Sequence, residues 1–261
     1  MLGKLLKYEL PAMGRKLLPL YAAWAVTALL LGLSAQAADS RSGFMVVLTG
    51  LLYTVIATAI FVMTVILIVQ RYSNSLLGDE AYFNHVLPVS VAEHIGNKAI
   101  SATVWIFVTL LVAVLTGLLI ALGAIISGAA EGISLSDMIG DLLNVDIDLP
   151  EHFALYVIEV LILFIGSCVK TIMQIYTAVT VGHQVPNHTT LASIGAYILV
   201  LMFESSVARA MLPLLIKVQY GADGFLQFGR VFVPALLATL AFSAIYFFVC
   251  KYLMEKRLNL A

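Results

Sequence analysis

Apolar residues run along this chain in blocks too long for the core strands or helices of a soluble domain. Six stretches, near 17–36, 44–69, 99–127, 153–181, 190–208 and 230–250, reach the length that predicts a membrane span. A helix needs about 20 apolar residues to cross a hydrocarbon core of about 30 Å. Hydrocarbon offers backbone N–H and C=O groups no partners, so each stretch is expected to be helical. Strand-period alternation is absent, which argues against a barrel. The fold class that follows is all-α: a polytopic membrane bundle of six transmembrane helices, forming one transmembrane domain over 1–261.

Between the blocks the pattern changes. Leu2, Leu5, Leu6, Leu10 and Met13 keep one helical face, while Lys4, Lys7, Glu9 and Arg15 fall largely elsewhere. Residues 1–16 therefore predict an amphipathic helix lying in the membrane interface. Lys4, Lys7, Arg15 and Lys16 would meet anionic headgroups there. The plainer alternative is an ordinary basic flank. Pro11 is expected to bend this helix and Gly14 to turn the chain into the first span. In 70–98, Asp79 and Glu80 suit the positive end of a short helix that Pro88 would terminate. Ser90 and Glu93 form an S-x-x-E capping box, so a second helix should start there and run directly into the third span. The first helix would display Tyr82, Phe83 and Val86 to water. That is either a docking surface or a hairpin resting on the bundle.

Composition agrees with the blocks. Hydrophobic residues make up 62% of the chain, mean hydropathy is +1.03, and 11% of residues are charged, against about 25% for soluble domains. A net charge of −1 carries no nucleic-acid signal. Local charge sets the expected topology. Lys4, Lys7, Arg15, Lys16, Arg71, Lys98, Lys251, Lys256 and Arg257 fall on one side. Arg41, Arg209, Lys217 and Arg230 fall on the other. The richer side marks the cytoplasm, and an even number of spans puts both termini there. Ala35-Gln36-Ala37 fits a signal-cleavage pattern, but 17–36 is long enough to span and is expected to be the first span. The loop 128–152 holds Glu131, Asp137, Asp141, Asp146, Asp148 and Glu151 with no Lys or Arg. It reads as a solvated external loop with a short helix near 135–143, without the spacing of a calcium loop.

Few residues carry candidate chemistry. Cys168 and Cys250 have no metal or redox spacing and read as small buried hydrophobes. His183 and His188, five apart around a proline, make a poor metal site. No H-E-x-x-H occurs, and an intramembrane protease is a weak reading. No G-x-x-x-x-G-K-[ST] phosphate loop occurs either. Three charges fall within spans: Glu159, Lys170 and Glu204. Lys170 lies roughly 16 Å from the inner end of its helix and Glu204 roughly 21 Å from the inner start of the next. The two are expected to form an ion pair. The alternative is that Lys170 snorkels while Glu204 is protonated or pairs with Arg209.

The stretches MLGKLLKYEL, LLGDEAYFNHVLPVS, YTAVTVGHQVPNHTTLASIGAY and KYLMEKRLNL, in that order along the whole chain, resemble the ABC-2 type permeases of bacterial ABC transporters. The resemblance implies an exporter permease half in the bacterial plasma membrane. It would pair with a second permease half, identical or not, and with separate ABC ATPase subunits that carry the ATP and Mg²⁺. This chain itself would be no enzyme and hold no cofactor. The resemblance further implies that 1–16 is an elbow helix. Gly78, Asp79, Glu80, Tyr82, Phe83 and Val86 would form a coupling helix seated on the ATPase, and 209–229 would form re-entrant external helices. Ala81 and His188-Thr189 depart from the usual pattern, a glycine and a basic pair. A Lys170–Glu204 pair would then be structural rather than a transport relay, because ATP supplies the work. A membrane sensor or scaffold subunit is the alternative function.

Overall fold

A computed structural model describes residues 2–36, 43–78, 90–128, 153–185, 187–219 and 224–256. Six helices account for nearly all of them: α1 (Leu2–Ser34), α2 (Gly43–Leu76), α3 (Val91–Ile126), α4 (Phe153–Gly182), α5 (Thr189–Gln219) and α6 (Gly224–Lys256). Each contains a segment long and apolar enough to cross a membrane, and no strand occurs among the described residues. The chain is an all-α, multi-pass membrane protein, as its hydropathy blocks require.

The helices outrun the apolar blocks. Helices α2 and α3 have 34 and 36 residues, about 51 and 54 Å at 1.5 Å per residue. Both exceed a hydrocarbon core of about 30 Å even when tilted. The surplus has a local cause at the start of α3. Glu93 N–H donates to Ser90 Oγ at 3.3 Å, and Ser90 N–H donates to Glu93 Oε2 at 3.1 Å. This is the expected capping box, and the helix it opens continues unbroken into the third apolar block. At the end of α2 the N–H groups of Leu77 and Gly78 both return to the Ser73 carbonyl, at 2.9 and 2.8 Å, and close the last turn.

Two expected breaks are absent. The chain does not turn at Gly14: α1 runs through Pro11 and Gly14 as one 33-residue helix. Pro11 is exposed, while Gly14 is buried. A Cβ at Gly14 would lie 2.9 Å from Cζ2 of Trp105, so the glycine receives an indole ring instead of bending the chain. The division between interface and span is instead written along one exposed face of α1. Lys7, Tyr8, Arg15 and Lys16 occupy it first, then Leu18, Val26, Leu30 and Leu33. Helix α5 likewise passes through Pro213 to Gln219, so no re-entrant break begins at 209. A proline removes one backbone donor, a loss that membrane helices accommodate. The expected external helix near 135–143 lies outside the described residues.

The chain divides into two compact units. The first is Met1–Leu6, Ile68–Thr103 and Leu149–Ala261, and the second is Lys7–Leu67 and Val104–Asp148. In the second unit, Leu17, Tyr21, Trp24, Ala28, Ile60 and Trp105 are buried. Its helices α1 and α3 touch backbone to backbone: a Cβ on Gly32 would sit 2.9 Å from the Gly123 Cα and collide with the Ile120 carbonyl oxygen. Neutral hydroxyl pairs add to it along α3, Tyr21 on α1 with Thr109 at 2.6 Å and Tyr53 on α2 with Thr116 at 3.2 Å. Small residues and hydroxyls are the usual adhesive between helices in lipid, where apolar surface gains nothing by leaving one hydrocarbon for another.

Candidate functional site

In the first unit α4 packs along both α5 and α6, and polar side chains gather in that seam. Lys170 on α4 donates from Nζ to Glu204 Oε2 on α5 at 3.1 Å. The hydroxyl of Tyr246 on α6 donates to the other carboxylate oxygen, Glu204 Oε1, at 2.9 Å. One carboxylate thus joins three helices. The expected ion pair is present in the structure, and Lys170 and Tyr246 are its partners rather than Arg209. The Lys170 and Glu204 side chains keep 22% and 14% of their surface exposed, so the group sits on the rim of the seam. Lys170 has exposed Ser167 and Thr171 on one side of its helix and buried Met173 on the other. Around Tyr246, Phe242 stacks at 6.0 Å between ring centroids and meets Phe203 edge-on at 6.4 Å.

A second cluster lies further along the same seam. Tyr72 and Tyr176 stack at 3.9 Å with 7° between their planes, and both are buried. The Tyr72 hydroxyl shares a hydrogen bond of 2.7 Å with Thr180 and lies 3.2 Å from Cys250 Sγ. Thr177 Oγ1 donates toward the Tyr246 carbonyl at 3.1 Å, tying the two clusters to one stretch of α6. Beside Tyr72, Ser73 Oγ meets His183 Nε2 at 3.3 Å, and His183 Nδ1 is 2.9 Å from the Val179 carbonyl. The two histidines are therefore not a pair: His183 is anchored to the seam and His188 is exposed.

The start of α3 carries a third polar group. His94, Asn97, Lys98 and Ser101 are all buried on one helical face. Lys98, counted among the basic residues that set the expected topology, is only 7% exposed. Gln174 is buried as well.

Among the expected coupling residues, Gly78 ends the closing turn of α2, whereas Asp79, Glu80, Tyr82, Phe83 and Val86 lie outside the described residues. Lys7, Arg15 and Lys16 are exposed where an interface requires them, and Lys4 lies on the same helix. Cys168 and Cys250 are buried free thiols. Among the described residues no group of His, Cys, Asp and Glu could hold a metal ion.

Sequence reasoning missed Tyr246. Depth could have found it. Tyr246 lies 10 residues before Lys256 at the end of α6, roughly 15 Å along the helix, close to the depth of Lys170. It missed the roles of Tyr72 and Cys250 for want of any comparable signal, since an isolated tyrosine or cysteine in an apolar run looks like filling. Compared with known proteins, the chain matches no family model, no curated protein and no solved structure.

Proposed function

We propose that this chain is the permease subunit of an ATP-driven ABC exporter. It works with a second permease half and separate ATPase subunits, with both termini in the cytoplasm. The observation that carries the reading is mechanical. Helices α2 and α3 both extend beyond the length lipid requires, and the short connection between them ends in a capping box that makes α3 one rigid piece from Val91 onward. A partner pressing on that connection moves two membrane helices directly, without a flexible joint to absorb the stroke. The chain has no G-x-x-x-x-G-K-[ST] phosphate loop, so the exporter reading calls for a separate subunit to hydrolyse nucleotide. The resemblance of LLGDEAYFNHVLPVS to permease coupling loops gives the partner's class.

The test is copurification with an ATPase encoded beside the chain, followed by deletion of 79–86. The deletion is expected to abolish both association and ATP-dependent flux in inside-out vesicles. Labelling of a cysteine placed at Tyr82 by an impermeant reagent in intact cells would sink the topology and the reading with it. Retained association without flux in the intact protein would favour a sensor or scaffold subunit.

A further inference from the structure

An ammonium group has three N–H donors. Lys170 uses one, toward Glu204, and among the described residues no other acceptor meets it. Glu204 is differently placed, with each oxygen already bonded. The unused donors therefore belong to the cation. They lie deep. Lys170 is 12 residues from the Gly182 end of α4, roughly 18 Å, near the middle of a hydrocarbon core. They also lie on an outer rim, for the neighbouring α5 residues Met202 and Phe203 are exposed large hydrophobics, as lipid-facing residues are. A charge with unfilled donors at this depth is costly and marks a functional position by default.

We infer that Lys170, poised by Glu204 and Tyr246, is a transient binding site for the carboxylate or phosphate head of an anionic amphiphile reaching it from the lipid. The physical need is specific. An amphiphile crossing the bilayer must carry its charged head through the hydrocarbon centre, where water cannot solvate it. A lysine on the lipid-facing rim at that depth supplies the missing donors. Glu204 balances the charge of Lys170 when the site is empty and yields part of its claim on Nζ when the head arrives, while Tyr246 continues to hold the other carboxylate oxygen, Oε1. Phe203 and Phe242 provide apolar surface beside the head for the adjoining chain. This names the cargo class of the exporter reading and rests on it for transport, but binding is measurable without any ATPase.

The experiment uses the full chain reconstituted in phosphatidylcholine vesicles without nucleotide or ATPase. Nitroxide-labelled stearic acid and nitroxide-labelled phosphatidylcholine serve as probes, and the motionally restricted fraction of each is read by electron paramagnetic resonance. Wild type should favour stearate. Lys170→Met/Glu204→Met, which leaves no unpaired charge, should lower that preference about fivefold, the worth of one cation near an anionic lipid. Lys170→Arg should retain it. Glu204→Gln should raise it, because the competing carboxylate is gone while the Tyr246 contact can persist, and this variant decides the matter if the double variant misfolds. An unchanged preference in the double variant, or no rise with Glu204→Gln, overturns the inference. Excess sodium acetate should not displace the stearate probe. If it does, the site takes small anions from water and the lipid-side route is wrong. Failure of ATPase association would remove the exporter reading and leave these outcomes standing.

Discussion

Helices α1 and α3 of the second unit and helices α4, α5 and α6 of the first each share a close glycine contact, Gly32 with Gly123 and Gly182 with Ser193, but differ in the polar side chains that join them. In the second unit Gly32 and Gly123 let two backbones touch, and the hydroxyl pairs Tyr21–Thr109 and Tyr53–Thr116 add neutral hydrogen bonds from α1 and α2 to α3. In the first unit Glu204 joins α5 to Lys170 on α4 and to Tyr246 on α6. Among the described residues Glu204 makes the side-chain hydrogen bonds from α5 to other helices. Backbone contact is short-ranged and tolerates almost no displacement. A carboxylate with two partners acts over a longer range and can exchange one partner for another. Both units are thus fixed at a glycine contact, and the α4–α5 seam adds an attachment that can be traded.

That contrast is broken most severely at the glycines. Gly123→Val places two methyl groups where the Gly32 Cα and the Leu29 carbonyl already stand within 2.9 Å of a Cβ. We expect a loss of about 3 kcal/mol, the upper range of overpacking, measured by denaturant titration in detergent. A denaturation midpoint equal to wild type would show that α1 and α3 can separate freely, and the rigid character of the second unit would be lost. The next effect in size is at the ion pair. Lys170→Met leaves a carboxylate in the seam with Tyr246 alone and should cost about 2 kcal/mol, below the range for fully buried pairs because these side chains are partly exposed. Lys170→Met/Glu204→Met should recover most of it, and exchange of the two charges should rescue either single reversal. Additive single effects would deny the coupling.

How much of this was legible follows from what each feature depends on. The six spans depend on hydropathy over windows of about 20 residues, so they could be read directly. Their ends depend on individual hydrogen bonds. Helix α3 begins at Val91, as the Ser90–Glu93 box predicts, and runs unbroken into the third span, whereas the hydropathy block alone starts near residue 99. The Lys170–Glu204 pair was legible because charges in lipid are rare and their depths could be counted. Tyr246 was not singled out, since aromatic residues in spans are common and only the depth count sets this one apart. The Tyr72–Cys250 contact depends on tertiary packing of residues 178 positions apart, and no local pattern encodes it. The same holds for the burial of Lys98, a basic residue that counts toward topology whether or not it faces water.

A smaller change sharpens the comparison by testing the two kinds of tyrosine contact against each other. Tyr246→Phe removes a hydrogen bond to a charged acceptor and should cost about 1.5 kcal/mol. Tyr21→Phe removes a neutral hydroxyl pair and should cost about 0.6 kcal/mol, the average for such contacts in membrane proteins. Both are measured by the same denaturant titration. Equal losses would mean that the carboxylate carries no extra charge-assisted strength and that the two units are held alike.

The most local effect tests whether α3 acts as a single rigid piece. Ser90→Ala removes one of the two acceptors of the Glu93 N–H, leaving the Ser90 carbonyl at 3.0 Å, and one of the two contacts that place the Glu93 carboxylate, leaving only the Ser90 backbone N–H on it. Loss of such a cap costs about 1 kcal/mol, and the loss should be local, because the rest of α3 is held by its packing and by lipid. Hydrogen exchange should accelerate at residues 91–94 and stay unchanged from Ile106 onward. The distinction matters for force transmission. A frayed first turn puts a flexible joint between the α2–α3 connection and the membrane, so in the exporter reading Ser90→Ala should weaken the coupling of ATP hydrolysis to flux while leaving ATPase association intact. Faster exchange without any change in coupling would mean that the stroke does not pass through the start of α3, and the mechanical argument for the connection would have to move to α2.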